Sequence, residues 1–188
     1  MRSLFRRNSL KEAAARAYDS VVTQARQRAF FARCGIPDTL DGRFELICLH
    51  AFLFLHRLKT ESPPADALGQ LFFDAMFADF DRSLREMGTG DLSVGREVKK
   101  MAQGFYGRIH AYQEGLERGD AALGPALARN LFGTAPPLPG AIDAMALYLR
   151  REAARLRGAK PDELLAGRIS FGPPPQEPDA LAAQGSGS

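Results

Sequence analysis

Cysteine, histidine and tryptophan are scarce in this sequence, and their scarcity excludes several kinds of site. Only two cysteines and three histidines occur among 188 residues, and tryptophan is absent. Two cysteines are too few for a disulfide-stabilised scaffold, and they suit a reducing compartment. His50 and His56 are six residues apart on one predicted helix, whereas zinc-binding pairs on helices usually lie three or four residues apart. We therefore expect no metal site and interpret the histidines as core or surface residues.

Long apolar runs are also missing. The most apolar stretch, residues 44–55, is interrupted by Glu45 and His50, and a membrane-spanning helix needs about 20 apolar residues. The basic start of the chain is not followed by the apolar run of a secretory signal. We therefore expect the chain to remain in the cytoplasm.

Sequence patterns typical of catalysis are equally sparse. Gly88, Gly90 and Gly95 are clustered, but a phosphate-binding loop needs such glycines after a strand and before a lysine-serine or lysine-threonine pair. Neighbouring carboxylates such as Asp79 and Asp81 are common on solvated helices. We expect a protein that is not an enzyme and carries no cofactor.

The positive charge is concentrated at the start of the chain. Residues 1–33 contain eight basic and two acidic residues, a net charge of +6, whereas the whole chain carries +3. Such an arm favours an anionic membrane surface, RNA or an acidic protein as a partner. A solvated helix face would show the same pattern, and composition does not separate these alternatives.

Helical periodicity fills most of the chain, and no segment alternates as a strand would. We predict an all-α, single-domain, irregular bundle of about six helices without a sheet. Ser9 and Glu12 fit a capping box at the start of the first helix, and the nearly continuous apolar run of the second places it at the centre of the bundle. The organisation predicted is a basic N-terminal arm over 1–8, a helical body over 9–168 and a disordered Pro/Gly/Ser tail over 169–188. The helices should cover about 9–33, 40–59, 65–87, 94–118, 121–131 and 141–157, with a single turn over 161–165.

Two stretches resemble the ubiquinol–cytochrome c chaperone family. The first is residues 38–46 (DTLDGRFEL), and the second and more specific is residues 79–101 (DFDRSLREMGTGDLSVGREVKKM), continuing through the FYGR of residues 105–108. The resemblance spans roughly residues 20–160.

This resemblance implies an all-helical assembly chaperone that binds newly made cytochrome b and assists biogenesis of the ubiquinol–cytochrome c reductase (bc1) complex. It also implies a place at the periphery of the inner membrane, on its cytoplasmic face. The partners expected are cytochrome b or its nascent chain, the ribosome, an anionic membrane surface and a small partner assembly subunit.

The resemblance also directs attention to a candidate client-binding surface around the second block. On the fourth predicted helix, basic residues recur at four-residue spacing from Arg96 to Arg108 and form a stripe opposite the apolar face. Gly104 lies in this stripe, and its cost in a helix interior, about 1 kcal/mol relative to alanine, is easier to explain if another backbone approaches there. Phe73 and Phe77 lie off the inward stripe of the third helix, so they either line a groove or pack against the second helix. The candidate residues are Arg43, Phe73, Phe77, Asp81, Arg82, Arg85, Arg96, Lys99, Lys100, Gly104, Tyr106 and Arg108.

Two other interpretations remain open from the sequence. The basic stripe and arm fit an RNA- or ribosome-binding helical module, although no recognised nucleic-acid motif is present. Solvated helix faces with one close contact between helices would also give this pattern.

Overall fold

The computed structural model describes residues 2–61 and 63–176, and within those ranges it is built of helices alone. Six helices are longer than ten residues and two short ones have five residues each, which confirms the predicted all-α bundle. The helices are α1 (Arg2–Ala25), α2 (Arg28–Ala32), α3 (Leu40–Leu58), α4 (Ala65–Glu86), α5 (Asp91–Arg118), α6 (Asp120–Leu131), α7 (Ala141–Arg157) and α8 (Pro161–Leu165).

Helix α3 forms the centre of the bundle. Residues 45–54 are all buried, and α1, α4, α5, α6 and α7 each pack against this helix. The Thr39 side chain caps it by accepting a hydrogen bond from the Gly42 amide, as a threonine at this position typically does. The central, buried position follows from a sequence that is apolar all round.

The turn between α4 and α5 is a glycine-terminated helix end. Gly88 has φ +84°, its amide donates to the Arg85 carbonyl, and the Thr89 amide donates to the Leu84 carbonyl. This is the hydrogen-bond pattern of a Schellman motif. The short turn brings the first half of α5 back beside the end of α4, which places the two parts of the second sequence block side by side.

Several helix ends differ from the sequence prediction. Helix α1 begins at Arg2 rather than Ser9, so the backbone of residues 2–8 continues the helix. It ends at Ala25, and the separate helix α2 follows where one helix to Arg33 was predicted. Helix α5 begins three residues earlier than predicted, and Gly119 rather than Asp120 precedes α6.

Residues 169–176, which composition places in a disordered tail, are instead packed against the helices. Phe171 contacts the apolar core, and its ring centroid lies 5.0 Å from that of His50. The Gly172 amide donates to the completely buried Glu152 carboxylate at 2.7 Å, and the Gly172 carbonyl accepts from Gln24 at 2.7 Å. The remaining tail, residues 177–188, lies outside the described residues.

A buried hydrogen-bond chain lies beneath this segment. Gln24 donates to the Tyr148 hydroxyl at 2.9 Å, and His50 lies between that hydroxyl and the Leu46 carbonyl, 2.7 Å from each. Because a carbonyl only accepts, Nδ1 of His50 carries the hydrogen and Nε2 accepts from Tyr148. His50 is thus a core residue held in its neutral form, and burial lowers its pKa to about 4.

Candidate functional site

A surface depression lies where the start of α3, the end of α4 and the first half of α5 meet. It consists of two adjoining cavities of about 550 and 300 Å³. Both cavities are lined by the same four apolar side chains, so we treat them as one site and call it the Phe44 groove. The shared residues are Leu40, Phe44, Leu84 and Met101.

The floor of the Phe44 groove is apolar and partly open to solvent. Phe44 packs edge to face on Phe80, with ring centroids 5.2 Å apart. Leu40 and Met87 line the groove with 56% and 52% of their surface exposed. Met87 is the C-cap residue of α4 and turns outward. Large apolar side chains grouped in an open depression are typical of a binding surface.

Charged residues of both signs surround this floor. Arg26, Lys100 and Arg129 form no ion pair within the described residues, and Arg43 pairs with Asp38 at 2.7 Å. The groove also has acidic lining residues, of which Glu86 is exposed and unpaired in the described part of the chain. The rim therefore offers exposed charges that exchange water for a partner's charges at little desolvation cost.

A buried ion pair closes the inner end of the groove. Arg108 donates two hydrogen bonds to the Glu45 carboxylate, one of them at 2.6 Å from Nε. The Arg108 side chain is 20% exposed and the Glu45 side chain is 9% exposed. The Arg108 guanidinium also lies over the Phe44 ring, 5.2 Å from its centroid, an attractive cation–π arrangement.

The pKa values of Glu45 and Arg108, and the space needed beside Gly104, both follow from this ion pair. Burial raises the pKa of Glu45, and the Arg108 hydrogen bond opposes that rise. The same hydrogen bond raises the pKa of Arg108. Gly104 makes room for the guanidinium, because a methyl group there would lie 2.7 Å from Nη1 of Arg108. Gly104 therefore accommodates an arginine side chain of its own helix, where the sequence favoured the approach of another backbone.

Four of the sequence-predicted residues, Arg43, Lys100, Gly104 and Arg108, line the Phe44 groove. Arg96 and Lys99 lie outside it as exposed side chains on α5. The predicted basic stripe is shorter than expected, since Arg108 is turned inward to Glu45. Four-residue steps advance about 40° beyond a full helical turn each, so Arg108 is rotated about 120° from Arg96.

The predicted aromatic residues lie in the packing between α4 and α5. Phe73 and Phe77 have ring centroids 4.5 Å apart, and each lies 6.2 Å from Phe105. Tyr106, 60% exposed, stacks on Phe73 at 5.7 Å. The structure packs both phenylalanines against Phe105 of α5, whereas the packing alternative left open by the sequence was with the second predicted helix.

The predicted charged residues at the end of α4 form ion pairs on the surface. Arg82 pairs with Asp79, and Arg85 pairs with both Asp81 and Asp91. The last of these pairs joins α4 to the first residue of α5. The Arg85–Asp91 pair links the two sides of the α4–α5 turn. Asp81, Arg82 and Arg85 do not line the Phe44 groove, whereas Asp79 does.

Sequence reasoning missed most of the groove floor. Leu40, Phe44 and Glu45 belong to the first family-like block, but that block was interpreted as the start of a buried helix. One signal in the sequence was Leu40, an apolar residue immediately after the Thr39 cap, where the helix begins at the surface. Gly42 was another, because a methyl group there would lie 2.0 Å from the Pro37 carbonyl oxygen, so only glycine permits the loop to cross the first turn of α3.

The described residues contain no group of three or more histidine, cysteine, aspartate or glutamate side chains arranged to hold a metal ion. None of the described helices is both long enough and apolar enough to cross a membrane. Helices alone in the described ranges, with an apolar groove inside a rim of mixed charge, define the class of this protein as an all-helical protein with an apolar surface groove.

Within that class, the chain belongs to the family described as Ubiquinol-cytochrome C chaperone, whose model matches residues 32–171. It is 29% identical to the human protein named ubiquinol-cytochrome c reductase complex assembly factor 1, over 87% of this chain and 55% of that protein. The mouse protein of this name is 28% identical over 87% of this chain and 56% of its own length. For the Xenopus laevis protein the identity is 28%, over 87% and 82%. The chain thus spans about half the length of the two mammalian relatives.

A solved structure shares the fold. The crystal structure of the Cbp3 homolog from Brucella abortus superposes with a TM-score of 0.79 at 41% sequence identity. The similarity covers 91% of this chain and 96% of that one. Family, relatives and fold agree, which confirms the resemblance found in the two sequence blocks.

Proposed function

We propose that this protein is an assembly chaperone that holds newly made cytochrome b in the Phe44 groove and assists biogenesis of the bc1 complex. Membership of the ubiquinol–cytochrome c chaperone family carries the proposal, and the names of the relatives agree with it. In this role the protein is not an enzyme and uses no cofactor of its own.

The groove has the chemistry that such a client requires. A membrane protein that has not reached its final place presents apolar helical segments with polar ends. An amphipathic or apolar helix binds by laying its side chains into an apolar groove. Leu40, Phe44 and Met87 provide that surface, and Arg26, Lys100 and Arg129 are placed to meet the charged ends of the segment. This function places the protein at the cytoplasmic face of the inner membrane, where the client is made.

An RNA- or ribosome-binding role is the second candidate. The exposed Arg96, Lys99 and Lys100 on α5 favour it. Contacts with phosphate would make RNA affinity fall by orders of magnitude between about 50 and 200 mM salt. We rank this role second because the inward turn of Arg108 limits the exposed basic surface of α5.

The proposal is tested by replacing the gene with variants in the organism that encodes it. Leu40→Asp and Met87→Asp place a charge in the groove at already exposed positions, so the fold should be retained. Leu92→Asp is the matched control, because Leu92 is completely exposed and does not line the groove. We expect both groove variants to lower the cytochrome b haem absorbance of membranes and the amount of bc1 complex, with the control unchanged. Normal bc1 levels after deletion of the gene would refute the proposal.

A further inference from the structure

A second cavity lies on another part of the surface and shares no lining residue with the Phe44 groove. It has a volume of about 430 Å³. Its walls come from α2, from the middle of α7 and from the proline run at residues 173–175. Nothing in the client-binding role described above uses it.

The charge of this cavity is of one sign. Among the described residues, Arg33 and Arg151 are its charged lining residues, and none of the lining side chains is a carboxylate. Glu152, next to Arg151, is completely buried; one of its oxygens accepts a hydrogen bond from Arg151 Nε at 2.8 Å, and the other accepts from the Gly172 amide and lies 3.3 Å from Nε of Arg155. These three side chains together retain a net positive charge. Arg33 is exposed and forms no ion pair within the described residues. The electrostatic potential here favours an anionic group.

The cavity is also apolar and already shaped. Leu147 lines it with 55% of its surface exposed, beside Ala29, Ala144 and the prolines. The proline wall is held in place because Gly172 is bonded to both Glu152 and Gln24 and Arg151 donates to the Pro173 carbonyl. A cavity that is already formed does not have to be ordered on binding, which lowers the entropic cost of association.

We propose that this cavity, lined by Arg33, Leu147, Arg151 and Pro173–Pro175, binds a short acidic protein segment. An apolar side chain of that segment packs on Leu147, and its carboxylates pair with Arg33 and the exposed part of Arg151. The inference does not depend on the proposed client or on the Phe44 groove.

The geometry favours a peptide over the other anionic partners. Single-stranded RNA binds on exposed aromatic faces, whereas Tyr148 is 1% exposed and Arg151 lies over its ring at 5.0 Å. A membrane surface is met by apolar side chains that project outward. Here the apolar side chains line a depression, which accepts a side chain rather than a lipid surface.

The test uses a fluorescein-labelled eight-residue peptide that is acidic, with leucines at its centre and glutamates on both flanks. Its binding to the full chain is followed by fluorescence anisotropy. Arg33→Glu and Leu147→Glu should each weaken binding by about tenfold or more, since each removes one of the two proposed contacts. Lys99→Glu, the same change of charge at an exposed lysine that lines neither cavity, should leave the affinity unchanged. Thermal unfolding of all variants verifies that the fold is retained.

Two further peptides control for composition. A peptide with lysines in place of the glutamates, and one with serines in place of the leucines, should both bind at least about tenfold more weakly. Absence of binding by the acidic peptide overturns the proposal, as does equal weakening by Arg33→Glu and Lys99→Glu. The proposal also fails if the acidic peptide does not bind and the wild-type protein instead binds anionic lipid vesicles or RNA, with Arg33→Glu abolishing that binding.

Discussion

At the scale of single residues, the Arg108–Glu45 pair shows what the sequence hides. Both residues lie on helices whose periodicity was predicted, but the two are 63 positions apart. A pattern along one helix indicates which face a residue lies on and does not indicate what that face meets. Arg108 was therefore predicted to belong to an exposed stripe, whereas it closes the inner end of the Phe44 groove.

Removing one member of this pair should be far more harmful than removing both. Arg108→Met leaves the buried Glu45 carboxylate without its partner, and we expect the free energy of unfolding to fall by about 3 kcal/mol. In the Glu45→Met/Arg108→Met double variant no buried charge remains, so stability should return to within about 1 kcal/mol of the wild type. Urea denaturation of the single variants, the double variant and the wild type measures this coupling. Strictly additive losses would contradict the account.

His50 should make stability depend on pH in a defined direction. Its pKa is about 4 in the fold against 6.5 ordinarily, so the unfolded chain binds more protons between these values. Stability attributable to His50 is therefore present above pH 6.5 and falls by about 3 kcal/mol as the pH drops to 4. In His50→Gln this part of the pH dependence should vanish, although stability at neutral pH is lower. His110→Gln, at an exposed position on α5, is the matched control and should keep the wild-type profile.

At the scale of elements, the helix positions were predictable from the sequence. The glycines within the helices differ in how much space a side chain would have there. Gly107 lies in the exposed interior of α5, where a methyl group in place of its hydrogen would have no neighbouring atom within 4 Å. Gly107→Ala should raise the free energy of unfolding by about 0.5–1 kcal/mol. Gly42→Ala should instead destabilise strongly, because its methyl group would lie 2.0 Å from the Pro37 carbonyl oxygen. Urea denaturation distinguishes the two, and a loss of stability in Gly107→Ala would count against the helix geometry.

The segment 169–176 illustrates an element that composition alone misjudges. Its proline and glycine content predicts disorder, but its order comes from Gln24 and Glu152, which are distant in sequence. Glu152→Ala removes the acceptor of the Gly172 amide, so we expect hydrogen exchange of the backbone amides of residues 169–172 to become at least about tenfold faster. Glu163→Ala, at an exposed site in α8, serves as the control. Unchanged exchange in Glu152→Ala would show that the segment is held by other contacts.

At the scale of the whole molecule, the sequence predicted the helices, the central place of α3 and the family. Those properties depend on periodicity, capping and local blocks of residues, all of which are readable along the chain. The Phe44 groove depends on how the start of α3 meets the α4–α5 turn, and the second cavity, lined by Arg33 and Arg151, depends on a segment expected to be disordered. Sites built from distant elements follow from packing, which one sequence does not display.

The central claim is that the Phe44 groove holds cytochrome b, and site-specific photo-crosslinking tests it most directly. A photoreactive amino acid is placed at Leu40 or Met87 in the groove and, as a control, at Leu92, and adducts formed in living cells are identified by mass spectrometry. The account predicts cytochrome b adducts from both groove positions and none, or far fewer, from position 92. Adducts with ribosomal proteins or RNA in place of cytochrome b, or equal cytochrome b adducts from all three positions, would contradict it.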